Sequence, residues 1–238
     1  MRKVENISRS ILGHEQQATP FSIILWNHMV LDPFPVFFLF LSLFLVGCST
    51  LSNTSNSPSQ QSEIIIGCDG QSYLLPAESP YILPFAAGET FKTGLTNCSS
   101  SFHSAGRPDQ YAFDFDTPIG TPFIAARSGT VFEVVEDAPS NGGGVGNYVS
   151  IDHLDGTYGL YYHSPQDGID VEVGDEVKQG DVLGITGQSG LAGYPHLHFI
   201  VVRGSPKFPY EGVAISFSNA SPADVPLKDY TAYTANPP

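Results

Sequence analysis

Beyond residue 63 the chain is written in short apolar or alternating stretches cut by glycine. Tyr111-Ala112-Phe113-Asp114-Phe115 alternates strictly. On a strand that sends the aromatic rings to one face and Ala112, Asp114 and Asp116 to the other. Residues 122–126 and 130–135 flank Ser128-Gly129, which predicts a hairpin there. Residues 148–153 read as a strand that turns at Asp155-Gly156 into a second strand over 158–163. Two further stretches, 171–185 and 195–203, have the same character. No segment holds a 3.6-residue apolar period between caps. The predicted fold is therefore all-β, built from antiparallel sheets and partly barrel-like.

The first 63 residues differ. Arg2, Lys3 and Arg9 precede a nearly unbroken apolar run over 36–46 that stops at Leu45-Val46-Gly47-Cys48. This ending resembles the lipobox of bacterial lipoproteins, where a small residue before cysteine admits signal peptidase and the thiol carries diacylglycerol. The competing reading is a transmembrane helix, which needs about 20 apolar residues. The run is shorter than that, and Asp32, Pro33 and Pro35 interrupt its upstream extension. We expect a lipoprotein signal peptide over 1–47 with Cys48 as the lipidated residue; Met29 is an alternative start that discards the basic residues. Residues 48–63 are polar and nearly uncharged and read as a flexible tether. Residues 64–238 remain as the folded domain, with its core at about 80–220. Ser49 follows the cysteine where aspartate is absent. By resemblance to Gram-negative lipoproteins, this favours the outer membrane, facing the periplasm.

The chain carries a formal charge of −14. Glu5, Glu15 and Asp32 cancel the three basic residues before Cys48, so the domain carries all of it. Nucleic acid is excluded as a partner, because binding its phosphates takes a basic stripe. With Cys48 assigned to lipid, Cys68 and Cys98 remain. An oxidising compartment predicts that they bridge, worth roughly 3–4 kcal/mol in loop closure; two buried free thiols are the alternative.

Five histidines fall in the domain: His103, His153, His163, His196 and His198. In His196-Leu197-His198 the strand period turns both imidazoles to one face. That pair alone is a weak signal. Asp114 strengthens it, since a carboxylate buried in an aromatic strand costs several kcal/mol without a partner, and a metal would satisfy it. A catalytic zinc site needs three protein ligands and one open position.

Five motifs follow in order: residues 114–126, Gly146-Asn147-Tyr148-Val149, Leu160-Tyr161-Tyr162-His163, residues 173–180, and Pro195-His196-Leu197-His198-Phe199. Together they resemble the LytM/lysostaphin family of zinc peptidoglycan endopeptidases over roughly residues 80–220. The resemblance implies a lysostaphin-like catalytic domain, a split barrel or sandwich built on a duplicated hybrid motif. It implies one zinc ion held by Asp114 and His198, with His163 and His196 flanking it as catalytic residues. The family's usual H-x-x-x-D pattern would place a histidine at 110, where this chain has Gln110. Some relatives instead carry Ser-His in a loop ahead of a Y-A-x-D-F strand, and Ser101-Phe102-His103 fits that variant, making His103 the third ligand. Ile200 stands where many relatives have glutamate, a position that is not a ligand. His153 reads as a hairpin residue. The implied activity is hydrolysis of stem-peptide cross-links in the cell wall, with peptidoglycan as partner. The rival is a non-catalytic scaffold of the same fold that activates a cell-wall amidase; other cell-wall hydrolases are then partners.

Overall fold

The structure, a computed structural model, describes residues 64–139 and 142–237. The signal peptide, tether and Cys48 expected from the sequence lie outside the described residues.

Among the described residues there are twelve strands: β1 (Thr90–Thr93), β2 (Phe113–Asp116), β3 (Pro122–Ile124), β4 (Gly129–Val135), β5 (Asn147–Asp152), β6 (Thr157–Ser164), β7 (Glu176–Val177), β8 (Val182–Ile185), β9 (His196–Arg203), β10 (Glu211–Gly212), β11 (Ala220–Ser221) and β12 (Ala232–Ala235). Ten form one antiparallel sheet in the order β11-β12-β1-β2-β9-β6-β5-β4-β7, with β10 beside β9. β3 and β8 form a separate antiparallel pair. The all-β expectation holds.

Alternation divides the large sheet. Phe113 and Phe115 of β2, Leu197, Phe199 and Val201 of β9, and Tyr161 of β6 are fully buried on one face, in the same cluster as Phe123 and Leu183 of the small sheet. Each such side chain contributes about 1.5–3 kcal/mol on burial. On the other face Ala112, Leu160, Tyr162, Ile200 and Val202 make a smaller cluster. Asp114 pairs with His198 across β2 and β9, and Asp116 with His196. The central strand β9 thus presents its histidines on the face of the smaller cluster, opposite the phenylalanine core.

The hairpin expected across Ser128-Gly129 does not form. β3 leaves to pair with β8, while β4 pairs with β5 and β7. A tight hairpin needs positive φ at its turn, and Gly129 keeps a negative one. A side chain there would strike the Asp152 carbonyl oxygen. The glycine serves close strand approach, not chain reversal. The turn at Asp155-Gly156 does form, with Gly156 at φ +83° between β5 and β6.

His153 closes that hairpin as a core residue. Its Nδ1 lies 3.0 Å from the Ser128 carbonyl oxygen, and its buried Nε2 has no hydrogen-bond partner. Burial pushes its pKa down to about 4 against that carbonyl's pull, and Arg127 adds to the effect. The unfolded chain then binds this proton more readily than the folded one. Its stabilisation is full above about pH 6.5 and is lost as pH falls toward 4, on the order of 3 kcal/mol. His153→Gln, which keeps a donor for Ser128, should flatten urea-measured stability between pH 7 and 4 by that order. An unchanged slope would count against the assignment.

Candidate metal centre and active site

Asp114 is the hub of the candidate site. Its buried Oδ1 lies 2.8 Å from His198 Nδ1, 3.4 Å from His103 Nε2 and 3.6 Å from His196 Nε2. Strand period explains three of these groups, since Asp114, His196 and His198 share the face opposite the phenylalanine core.

His163 reaches that face by another route. Along β5 and β6 the register runs Tyr148↔Tyr162 and then Asn147↔Ser164, so His163 is the extra residue of a bulge. It sits at φ +80°. A non-glycine residue in that region is strained, and bulges re-aim side chains beside functional sites. The ring comes to rest 4.6 Å from that of His196 and 5.8 Å from that of His198. The Gly146-Asn147 motif braces this bulge. The Asn147 amide donates to the Ala138 and Ser164 carbonyls, and its backbone N–H donates to Ser189 Oγ. Gly146 and Gly190 meet so closely that a Cβ on Gly190 would lie 2.6 Å from the Gly146 nitrogen.

His103 arrives on a loop. It ends a single 3-10 turn, Ser101–His103, and is buried. The loop is closed at its base by the Cys68–Cys98 disulfide, Cα–Cα 5.9 Å, and by the Cys98 N–H donating to the Gln110 carbonyl at 2.7 Å. The Gln110 side chain accepts from the Gly106 N–H at 2.8 Å and donates to Asp69 at 3.0 Å. Gln110 therefore aims at Asp69 and holds the loop that delivers His103.

Backbone carbonyls assign the tautomers. A carbonyl oxygen only accepts, so the nitrogen facing it carries the proton. His163 Nδ1 faces the Ser189 carbonyl at 2.8 Å, His196 Nδ1 the Tyr194 carbonyl at 2.8 Å, and His103 Nδ1 the Thr96 carbonyl at 3.3 Å. In its neutral form a ring held this way keeps a lone pair on Nε2. For His103 and His196 that lone pair is turned toward the Asp114 carboxylate. Lone pair against carboxylate is repulsive unless a proton or a cation lies between.

The close approach of these groups also sets their charges. Burial pushes the Asp114 carboxyl up, but His103 and His198 outweigh it and hold it well below the usual carboxylate range. Burial lowers His198, yet Asp109 and Asp114 together raise it to about 9. Burial, reinforced by His196 and His198, drops His163 to about 3. His196 is also lowered by burial, against the pull of Asp114. At neutral pH His163 and His196 are therefore uncharged.

Two groups of potential ligand atoms lie within 4.8 Å of one another: His103, Asp114 and His198, and also His163, His196 and His198. The first joins two imidazoles to a buried carboxylate, a donor set suited to zinc with an open fourth position. Ring nitrogens and a buried carboxylate that face one another are an arrangement that a bound cation would satisfy. Sequence reasoning missed Asp109, 3.6 Å from His198 Nε2, and Tyr194, whose ring stacks on His196 at 4.6 Å. Neither has a period or motif that would mark it.

Residues 109–209 match the model of peptidase family M23. Lysostaphin of Staphylococcus simulans is 36% identical over 115 residues, 48% of this chain and 20% of that protein. The peptidoglycan DD-endopeptidase ShyC of Vibrio cholerae is 40% identical over 97 residues, 40% of this chain and 21% of that protein. The chain thus spans about a fifth of the length of these curated relatives. The solved structure of lysostaphin from S. simulans aligns with a TM-score of 0.40 at 31% identity, covering 49% of this chain and 44% of that one. Residues 109–209, which carry Asp114, His163, His196 and His198, are a domain of peptidase family M23.

Proposed function

We propose that this protein is a zinc-dependent endopeptidase that hydrolyses stem-peptide cross-links in peptidoglycan. The observation that carries the reading is the convergence of His103, Asp114 and His198, the first two buried and the third nearly so, beside His163 and His196, which are each oriented by a backbone carbonyl. His103 Nε2, an Asp114 oxygen and His198 Nδ1 would hold the ion. Bound there, zinc supplies Lewis acidity toward a peptide carbonyl and acidifies water at neutral pH. His163 and His196 do the proton work. Their Nδ1 protons are committed to backbone carbonyls, so each ring offers Nε2 to take a proton from the attacking water. Once protonated, the same nitrogen donates to the developing oxyanion or the leaving amine. The rings lie in contact, so a proton held by one disfavours a second on the other.

The substrate reading draws on relatives whose names include peptidoglycan DD-endopeptidase. The lipobox-like end at Cys48, with Ser49 after it, supports an outer-membrane lipoprotein, and hence D-alanyl-diaminopimelate cross-links over glycine bridges as the substrate. Purified protein should convert cross-linked muropeptides to monomers, with activity lost to chelator and restored by zinc. Cys48→Ala should release the protein from the membrane fraction or stall its processing. A zinc-loaded protein that leaves cross-links of several wall types intact points to the amidase-activating scaffold. A processed, membrane-bound Cys48→Ala protein removes the lipid anchor.

A further inference from the structure

A carboxylate faces each nitrogen of His198. Asp114 lies 2.8 Å from Nδ1, and Asp109 lies 3.6 Å from Nε2. Asp109 stands in the turn ahead of β2, where its carbonyl accepts from the Ala112 N–H at 2.9 Å. The same Asp109 Oδ1 accepts the Tyr210 hydroxyl at 2.5 Å. Tyr210 packs on the apolar cluster that includes Tyr162, and the Tyr162 ring stands edge-on to His198 at 5.6 Å. An imidazole that gives one nitrogen to a metal keeps its proton on the other, and that N–H needs an acceptor to fix the ring. With Nδ1 turned toward Asp114, the remaining proton is on Nε2, and Asp109 is the carboxylate beside it.

We propose that Asp109, steadied by Tyr210, is a positioning residue that orients His198 and strengthens it as a metal ligand. The inference rests on the metal-site reading above. The 3.6 Å separation is longer than a hydrogen bond, and a small rotation of either side chain closes it. Asp109 belongs to neither group of potential ligands. It acts through His198.

The test is a competitive-chelator titration of zinc into the purified full-length chain, alongside the visible spectrum of its cobalt-substituted form. Asp109→Ala should weaken zinc binding about 10–100-fold, the usual cost of losing such an outer partner, and should change the cobalt bands. Asp109→Asn keeps an acceptor oxygen and should recover much of the affinity and the wild-type spectrum. Tyr210→Phe should fall between wild type and Asp109→Ala. Thermal melting of the metal-free variants separates positioning from folding, and all three should melt within a few degrees of wild type. If wild type holds zinc and Asp109→Ala holds it equally, this inference fails and the metal site stands. Equal losses in Asp109→Ala and Asp109→Asn with matched drops in melting temperature also overturn it, in favour of a structural role. A wild type that binds no zinc removes the metal reading and this one with it.

Discussion

His198→Ala is expected to lose zinc and hydrolysis together, whereas His196→Ala and His163→Ala keep most of the zinc and lose about 10²-fold or more in rate. The difference follows from what each nitrogen faces. His198 Nδ1 lies against the Asp114 oxygen, inside the carboxylate-containing ligand group. Removing it leaves two ligands, too few to hold zinc firmly. His163 and His196 sit beside that group, each fixed through Nδ1 to a backbone carbonyl, and His196 Nε2 stands 3.6 Å from Asp114, farther than either proposed histidine ligand. Their loss removes a proton acceptor from the reaction and no ligand from the proposed site. Zinc stoichiometry by elemental analysis, paired with muropeptide release, checks both arms. Zinc loss in His196→Ala as complete as in His198→Ala would move the ion to the three-histidine group and overturn the ligand set.

The second large effect concerns His103, which lies upstream of the residues matching the family model. His103→Ala should weaken zinc binding by orders of magnitude, because the Nε2 facing Asp114 is lost. A histidine introduced at 110 should not rescue it. The Gln110 side chain is engaged by Asp69 and the Gly106 N–H, and position 110 precedes β2. His103→Ala/Gln110→His should therefore remain as zinc-poor as His103→Ala alone. Reducing the Cys68–Cys98 disulfide should act in the same direction but less severely, by loosening the loop without deleting the ligand. Full zinc stoichiometry in His103→Ala, or its return in the double variant, would show that another residue completes the site.

How much of this was legible beforehand differs from element to element. The alternation in residues 111–116 and 196–199 is enough to place Asp114, His196 and His198 on one face, because a strand's period of two leaves no other arrangement once the phenylalanines are buried. The same local logic led to the turn at Asp155-Gly156. It failed at Ser128-Gly129, where the glycine answers to the Asp152 carbonyl of a neighbouring strand, a contact invisible from local sequence. The place of Gln110 in the usual metal-ligand pattern was visible as a departure, but its use as a loop staple depends on Asp69, 41 residues away.

What the sequence determined by itself is whatever repeats with the backbone: the all-β character, the two faces of β2 and β9, and the residue types that make a metal site chemically sensible. Only the tertiary structure decided which nitrogen of each histidine is free, how a bulge turns His163 inward, and that Asp109 meets His198 from the far side. Beyond the Tyr194 and Thr96 carbonyls close by in sequence, those outcomes depend on groups contributed by other segments, the Ser189 carbonyl for His163 and the Asp109 carboxylate for His198. Periodicity carries direction along one strand, and it carries nothing about what another segment brings to meet it.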